Sequence, residues 1–280
     1  MSFNRNSAFF GKSLAWWLFK RHHTHFNDIF WAHKITKEHA FSCTKEFQRT
    51  DSSQVLFKSK ILGRRIPATL GQWADNYSDF DRWSQMASVM AIAGYLETYI
   101  AQVTTAALES SPSLVLGGGA LCDGGLLLKT NPKYNLSGYV EPLVRGDWQA
   151  RMAAYKSFFK DCPFEQHKSD LEKLRKLRND AGHSFGRDIK FINYNSSRVV
   201  KYLKKISDEA IQEYLSLAES VASAIEEHLV DKYIGAYEAI KLFHHWLPSV
   251  SHNVNRLLKK SVTPQDVVTT PQLELLHVVG

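Results

Sequence analysis

Trp83-Ser84-Gln85-Met86-Ala87-Ser88-Val89-Met90-Ala91-Ile92-Ala93-Gly94-Tyr95-Leu96-Glu97-Thr98-Tyr99-Ile100-Ala101-Gln102-Val103-Thr104-Thr105-Ala106-Ala107-Leu108 is the stretch whose reading decides the fold. From Ser84 to Leu108 it reads as one long helix. Trp83, Met86, Met90, Ala93, Ile100 and Ala107 recur at helical spacing along one side, and Val89, Ile92, Leu96, Tyr99 and Val103 fill the other. A helix that is apolar nearly all round belongs at the centre of a packed domain. Between Arg82 and Glu109 the stretch holds a single charged residue, Glu97, on the stripe of Met90 and Ala93. A carboxylate there is costly unless a cation or hydrogen-bond donors meet it. Two readings stay open, a satisfied structural carboxylate and a site residue.

C-terminal to this helix, further helical segments follow. Asp147 to Lys160 carries Trp148, Met152, Tyr155 and Phe159 at three- and four-residue steps, and Cys162-Pro163 interrupts it. Ser169-Asp170-Leu171-Glu172 fits a capping box, with Ser169 as N-cap. Leu171, Leu174, Leu177 and Ala181 then form an apolar face, opposite the basic Lys173, Arg175 and Lys176, and Gly182 or Gly186 can end the helix. Ser207-Asp208-Glu209 caps another, with a stripe of Ile211, Leu215, Ala218, Val221, Ala222, Ile225 and Leu229. Helical pattern continues from Ile234 to Trp246 and stops before Pro248. The expected fold is therefore mainly α, an antiparallel up-and-down helical bundle over residues 73–247 with a tail over 248–280. The stretch 111–146 is rich in glycine and proline. Its runs Gly117-Gly118-Gly119 and Gly124-Gly125 lack the Lys-Ser/Thr of a phosphate-binding loop, so it reads as a long flexible connection.

N-terminal to the bundle, residues 1–72 read as an extension of mixed character with no sustained helical period. Gln54 to Leu62 suits a strand. His22, His23 and His25 with Asp28 suggest a metal cluster, but ligands so close on one segment do not complete a tetrahedral site without a cysteine pair, so no metal is expected. With Lys12, Lys20, Arg21, Lys34 and Lys37 they suit a basic surface for phosphates or a partner protein. The interleaved Trp16, Trp17, Phe26, Phe30 and Trp31 suit base stacking or, more simply, the packed face of an amphipathic helix.

Composition frames these elements. The chain has 280 residues, 44% hydrophobic and 22% charged, which suits a packed core and excludes global disorder. A net charge of +7 favours an anionic partner. Cys43, Cys122 and Cys162 make neither a disulfide framework nor a zinc cluster, which fits a reducing cytoplasm. No apolar run reaches the roughly 20 residues of a membrane span, and no signal-peptide core is visible. A cytoplasmic protein with no membrane association is expected.

The chemistry-bearing motif is Arg178-Asn179-Asp180-Ala181-Gly182-His183. An arginine holds a phosphate and a histidine moves a proton near neutral pH, which are the groups metal-free RNA cleavage requires. On a helix, Asn179 and His183 share a face one turn apart, and the long Arg178 side chain can swing toward it. The plainer alternative leaves Arg178 and Asp180 solvated at a helix end, with His183 favoured by the C-terminal dipole.

The succession of segments resembles the HEPN superfamily (higher eukaryotes and prokaryotes nucleotide-binding) over about residues 78 to 235. The apolar helix with Tyr95-Leu96-Glu97 is similar to the family's early core helix with its embedded acid. Asp147-Trp148 through Phe158-Phe159 is similar to the helix before the motif, Leu174 through Ser184 to the motif helix, and Ser207-Asp208-Glu209 through Asp231-Lys232-Tyr233 to the closing helix. The resemblance implies a metal-independent endoribonuclease, in which the RNA 2′-OH attacks the adjacent phosphate to leave a 2′,3′-cyclic phosphate and a 5′-OH. It implies His183 as general acid or base, Arg178 on the scissile phosphate, and Asn179 positioning Arg178, with Asp180 and Glu97 in support. No cofactor is implied. A homodimer with a composite cleft is implied, as is a toxin or phage-defence role with an antitoxin or defence partner protein. Two other functions compete with it: a non-catalytic helical nucleic-acid-binding or adaptor module, and a DNA-binding regulator using the basic N-terminal segment.

Overall fold

The computed structural model describes residues 4–57, 66–117, 122–128, 135–184 and 205–246, the side chains of 183 and 184 excepted. Helix takes up 78% of the described residues, and no strand occurs among them, so the fold class is all-α. In chain order the helices are α1 (Leu14–Cys43), α2 (Leu70–Ser110), the short α3 (Ser113–Leu116) and α4 (Gly124–Leu127), α5 (Ser137–Val144), α6 (Trp148–Phe159), α7 (Lys168–Ser184), α8 (Asp208–Leu229) and α9, which covers 237–246. A π-helical turn, Val230–Ile234, joins α8 to α9.

Several sequence expectations are corrected. The stretch from Leu14 to Cys43, part of the mixed extension, is one continuous 30-residue helix. Its buried residues are sparse (Ala15, Phe19, Phe30, Lys34), with histidines and lysines set among exposed Ile29, Trp31 and Ile35. The apolar period is therefore masked. The proposed strand's first residues, Gln54 and Val55, belong to a 3₁₀ turn, Ser53–Val55, with Ser52 Oγ accepting from Gln54 N, while 58–62 lie outside the described residues. Ser169 does not cap α7. The helix begins at Lys168, entered from a 3₁₀ turn over Glu165–His167. Gly182 does not end it, and Gly186 lies outside the described residues, as does the tail over 248–280. The glycine-rich stretch, read as a flexible connection, carries α3, α4 and α5.

The chain divides into two compact units. The first is drawn from Met1–Phe19, Thr98–Glu165 and Ala222–Gly280, the second from Lys20–Glu97 and Gln166–Val221. In the first unit, α6 buries Trp148, Met152, Tyr155 and Phe159, the stripe its sequence marks, and Asp147 Oδ1 caps it through Ala150 N at 2.8 Å. Arg5 clasps this unit. Its guanidinium donates to the Asp123 carboxylate at 2.8–3.2 Å, to Ser110 Oγ at 2.8 Å and to the Ile234 carbonyl at 2.8 Å, while its own carbonyl accepts from Ala236 N at 2.9 Å. Close approach fixes two glycines around the clasp. A Cβ on Gly124 would lie 1.8 Å from the Glu109 carbonyl, and one on Gly235 (φ +53°) 2.1 Å from that of Arg5.

In the second unit, α1 and α2 run antiparallel, since His22 stacks on Tyr95 while Phe41, farther along α1, packs on Trp73 and Tyr77. Asp81 of α2 is buried between them. It accepts from Lys37 Nζ at 2.5 Å and Lys34 Nζ at 3.1 Å, and His33 Nε2 lies 3.1 Å away. Lys34 also pairs with Asp208 at 2.6 Å. Burial alone would raise the Asp81 pKa, but the bonds from Lys37, Lys34 and His33 outweigh it and hold the carboxyl at about 2. At the start of α8, Ser207 Oγ accepts from Ala210 N at 3.1 Å, the expected cap, and the stripe below it is buried throughout.

Candidate active site

The candidate site lies in the second unit, where α7 meets the middle of α2. α7 is anchored by Leu171, Leu174 and Ala181, all at most 2% exposed, which turns the next positions around the helix toward a polar margin. Arg178 sits on that margin. Its guanidinium donates to Glu97 Oε2 at 3.3 Å and to Asn179 Oδ1 at 3.2 Å. The lone carboxylate of the apolar α2 stretch is thus met by the arginine of the motif. Glu97 is 19% exposed and Arg178 42%, so the acid forms the inner wall and the guanidinium faces outward.

A guanidinium carries five N–H donors in a planar fork. Two are engaged by Glu97 and Asn179, which leaves three among the described residues for an incoming anion. A half-exposed ion pair of this length contributes at most about 1 kcal/mol to stability. Its larger effect is to restrict the rotamers of a long side chain that would otherwise sweep solvent. Asp180 is exposed and points away from the apolar side of α7. His183 belongs to α7 by its backbone, about 6 Å along the axis from Asn179 and 40° around it. Its side chain lies outside the described residues.

Of the sequence-assigned residues, Arg178, Asn179 and Glu97 are brought together. The other signals fall elsewhere. His22 stacks on Tyr95, and His23 Nε2 lies 3.2 Å from the Leu215 carbonyl, both engagements of a packed α1. Among the described residues no three His, Cys, Asp or Glu side chains are arranged to hold a metal, and no helix is long and apolar enough to cross a membrane. Burial pushes the Cys162 thiol up to about 11, which suits a structural thiol. Comparison with protein-family models, with curated proteins and with solved structures finds no match.

Two polar clusters escape the sequence reading. One is Asp81 with Lys34, Lys37 and His33 around it, since Asp79-Phe80-Asp81-Arg82 looks like ordinary helix surface. The other is in the first unit, where Glu226 is fully buried and accepts from Ser13 N at 2.6 Å, Ser13 Oγ at 2.8 Å and Tyr99 OH at 3.0 Å. Glu226 follows Ala222 and Ile225 on the apolar side of α8, and that placement was the available signal.

Proposed function

We propose that the chain is a metal-independent endoribonuclease of the HEPN type, built on a HEPN-like antiparallel bundle. The observation that carries this reading is the Arg178 guanidinium, steered by Glu97 and Asn179 with three donors left over among the described residues, on the same helix as His183. In this mechanism Arg178 binds the scissile phosphate bidentately and offsets the charge that builds on its oxygens. His183 exchanges a proton with the attacking 2′-OH or the leaving 5′-oxygen, work suited to an imidazole near neutral pH. Asn179 and Glu97 are positioning residues for Arg178. Asp180 is a further, outer support for the local charge. The products are a 2′,3′-cyclic phosphate and a 5′-OH.

A homodimer that sets two motif helices across one cleft suits this chemistry, because one half-exposed arginine and one histidine leave a phosphate bound on one side only. A cytoplasmic toxin or phage-defence effector, restrained by an antitoxin or defence partner protein, is the matching biological role. Incubation of the purified chain with mixed RNA in EDTA is the direct test. Fragments with cyclic-phosphate ends are expected, and His183→Ala should lower the rate by about 10²–10⁴-fold with the helical circular-dichroism spectrum unchanged. Retained cleavage by that variant would overturn the mechanism.

A second reading, a non-catalytic nucleic-acid-binding or adaptor module, is favoured by a different observation. Phe80 and Trp83 stack at 6.0 Å on α2 while 51% and 47% exposed. Tight RNA binding without cleavage in the same assay would select it.

A further inference from the structure

The first unit contains a cleft of about 410 Å³, within the range of small-molecule sites. Leu14 of α1, Ala101 and Ala106 of α2 and Leu242 of α9 supply apolar wall. The polar groups are unevenly matched. Glu109 accepts from Lys241 Nζ at 2.5 Å and from Tyr237 OH at 3.4 Å, so the cleft's one lysine is already committed. Glu238 has only the Leu14 N–H, at 2.8 Å, on its Oε2, and no lysine, arginine or histidine among the described residues pairs with it. Oε1 is left with no hydrogen-bond partner among them. Glu226 is buried nearby, so the charge around Glu238 is in anionic excess.

We propose that this cleft binds an organic cation, an ammonium group on an apolar body, with Glu238 as its counter-ion. An anion would meet two carboxylates and a lysine already paired. A hard divalent cation wants six to eight oxygens, where the walls here are alkyl. An ammonium offers three donors, enough for both Glu238 oxygens, and its alkyl or aryl body covers the Leu14, Ala101 and Leu242 surface.

Proton linkage follows from the surroundings of Glu238. Burial, with the carboxylates of Glu226 on α8 and Glu109 on α2, pushes its carboxyl up to about 7, against the opposing Leu14 N–H at the start of α1 and Lys241 on its own helix. His245 also lines the cleft. Near pH 7 the carboxyl is partly protonated. An arriving ammonium favours the carboxylate, so binding releases the carboxyl proton to the buffer while the ammonium keeps its own three.

Isothermal titration of the full chain with hexylammonium at pH 7, beside the neutral isostere 1-hexanol, tests this. Saturable binding of hexylammonium is expected, about tenfold or more tighter than hexanol, equivalent to at least about 1.4 kcal/mol. Its heat should vary with the ionisation enthalpy of the buffer. Glu238→Gln, which keeps an acceptor for the Leu14 N–H, should weaken hexylammonium binding about tenfold and remove the buffer dependence. Ala101→Phe, on a half-exposed position, should fill the cleft and weaken both probes. Absence of saturation by the wild-type chain, or unchanged hexylammonium affinity in Glu238→Gln, would overturn the proposal. Should Glu238→Gln lose its helical spectrum, unchanged binding by Ala101→Phe overturns it instead.

Discussion

Asp81 and Glu97 are both carboxylates on α2 that meet cations, yet they do different work. Asp81 is 2% exposed in its side chain and holds Lys34, itself buried. Its folded pKa of about 2 lies below the ordinary carboxylate value, so the stability it contributes is present above about pH 4 and is lost as pH falls toward 2. The contribution is roughly 2 kcal/mol at neutral pH. Removing the acid costs more than that, because Lys34 is left buried with Asp208 alone. Asp81→Ala is expected to destabilise the chain by about 3–5 kcal/mol in urea denaturation. Glu97 is the reverse case. Its pair with Arg178 is half in water, so Glu97→Ala should change stability by less than about 1 kcal/mol. Under the nuclease reading the same substitution should lower RNA cleavage by about tenfold or more through a mispositioned arginine. A stability loss as large as that of Asp81→Ala would make Glu97 a structural carboxylate only.

At the scale of elements, glycines separate helical propensity from close packing. Gly94 lies inside α2 with nothing within 4 Å of a would-be Cβ, so Gly94→Ala should stabilise the chain by about 0.5–1 kcal/mol. Gly124→Ala should do the opposite, and by more, because its methyl would enter the Glu109 carbonyl at 1.8 Å. Thermal midpoints of the two variants should move in opposite directions.

The helices whose apolar stripes are dense were legible in the sequence: α2 from its near-total lack of charge, α6 from Trp148 to Phe159, and α8 from its serine cap and seven-residue stripe. Their ends were not, because α7 is entered through a 3₁₀ turn that displaces Ser169 from the cap position. α1 was hidden for a different reason. Its packing uses few residues, and Lys34, on its buried side, reads as surface until Asp81 and Asp208 are seen around it.

For the molecule as a whole, two titrations of opposite sign shape the stability profile. Asp81 adds stability as pH rises from about 2 to 4. Glu238 has a folded pKa raised to about 7, so its contribution is full below about 4.5 and declines as pH rises through 7. Glu238→Gln should therefore flatten the fall in melting temperature between about pH 5 and 7.5 and leave the acid limb intact. A variant that melts with the wild-type profile over that range would remove Glu238 as the cause. The pairings in these long-range clusters were illegible because no local pattern links residue 34 to 208 or 13 to 226, whereas the motif at 178–183 and the isolated Glu97 announced themselves in one dimension. The candidate site was legible to that extent, in the types and spacing of its residues, while the convergence of Arg178 on Glu97 needed three dimensions.

The Arg5 clasp has a consequence for how the chain is made. Its guanidinium and carbonyl meet partners at 110, 123, 234 and 236, so Arg5 waits for more than two hundred later residues before its bonds can close. Closing so long a loop is entropically slow, and until then Phe9, Phe10 and the start of α1 emerge from the ribosome with their destination unsynthesised. The first unit is thus completed after the second in the order of translation, since its bonds need residues 234 and 236 while the second unit ends at Val221.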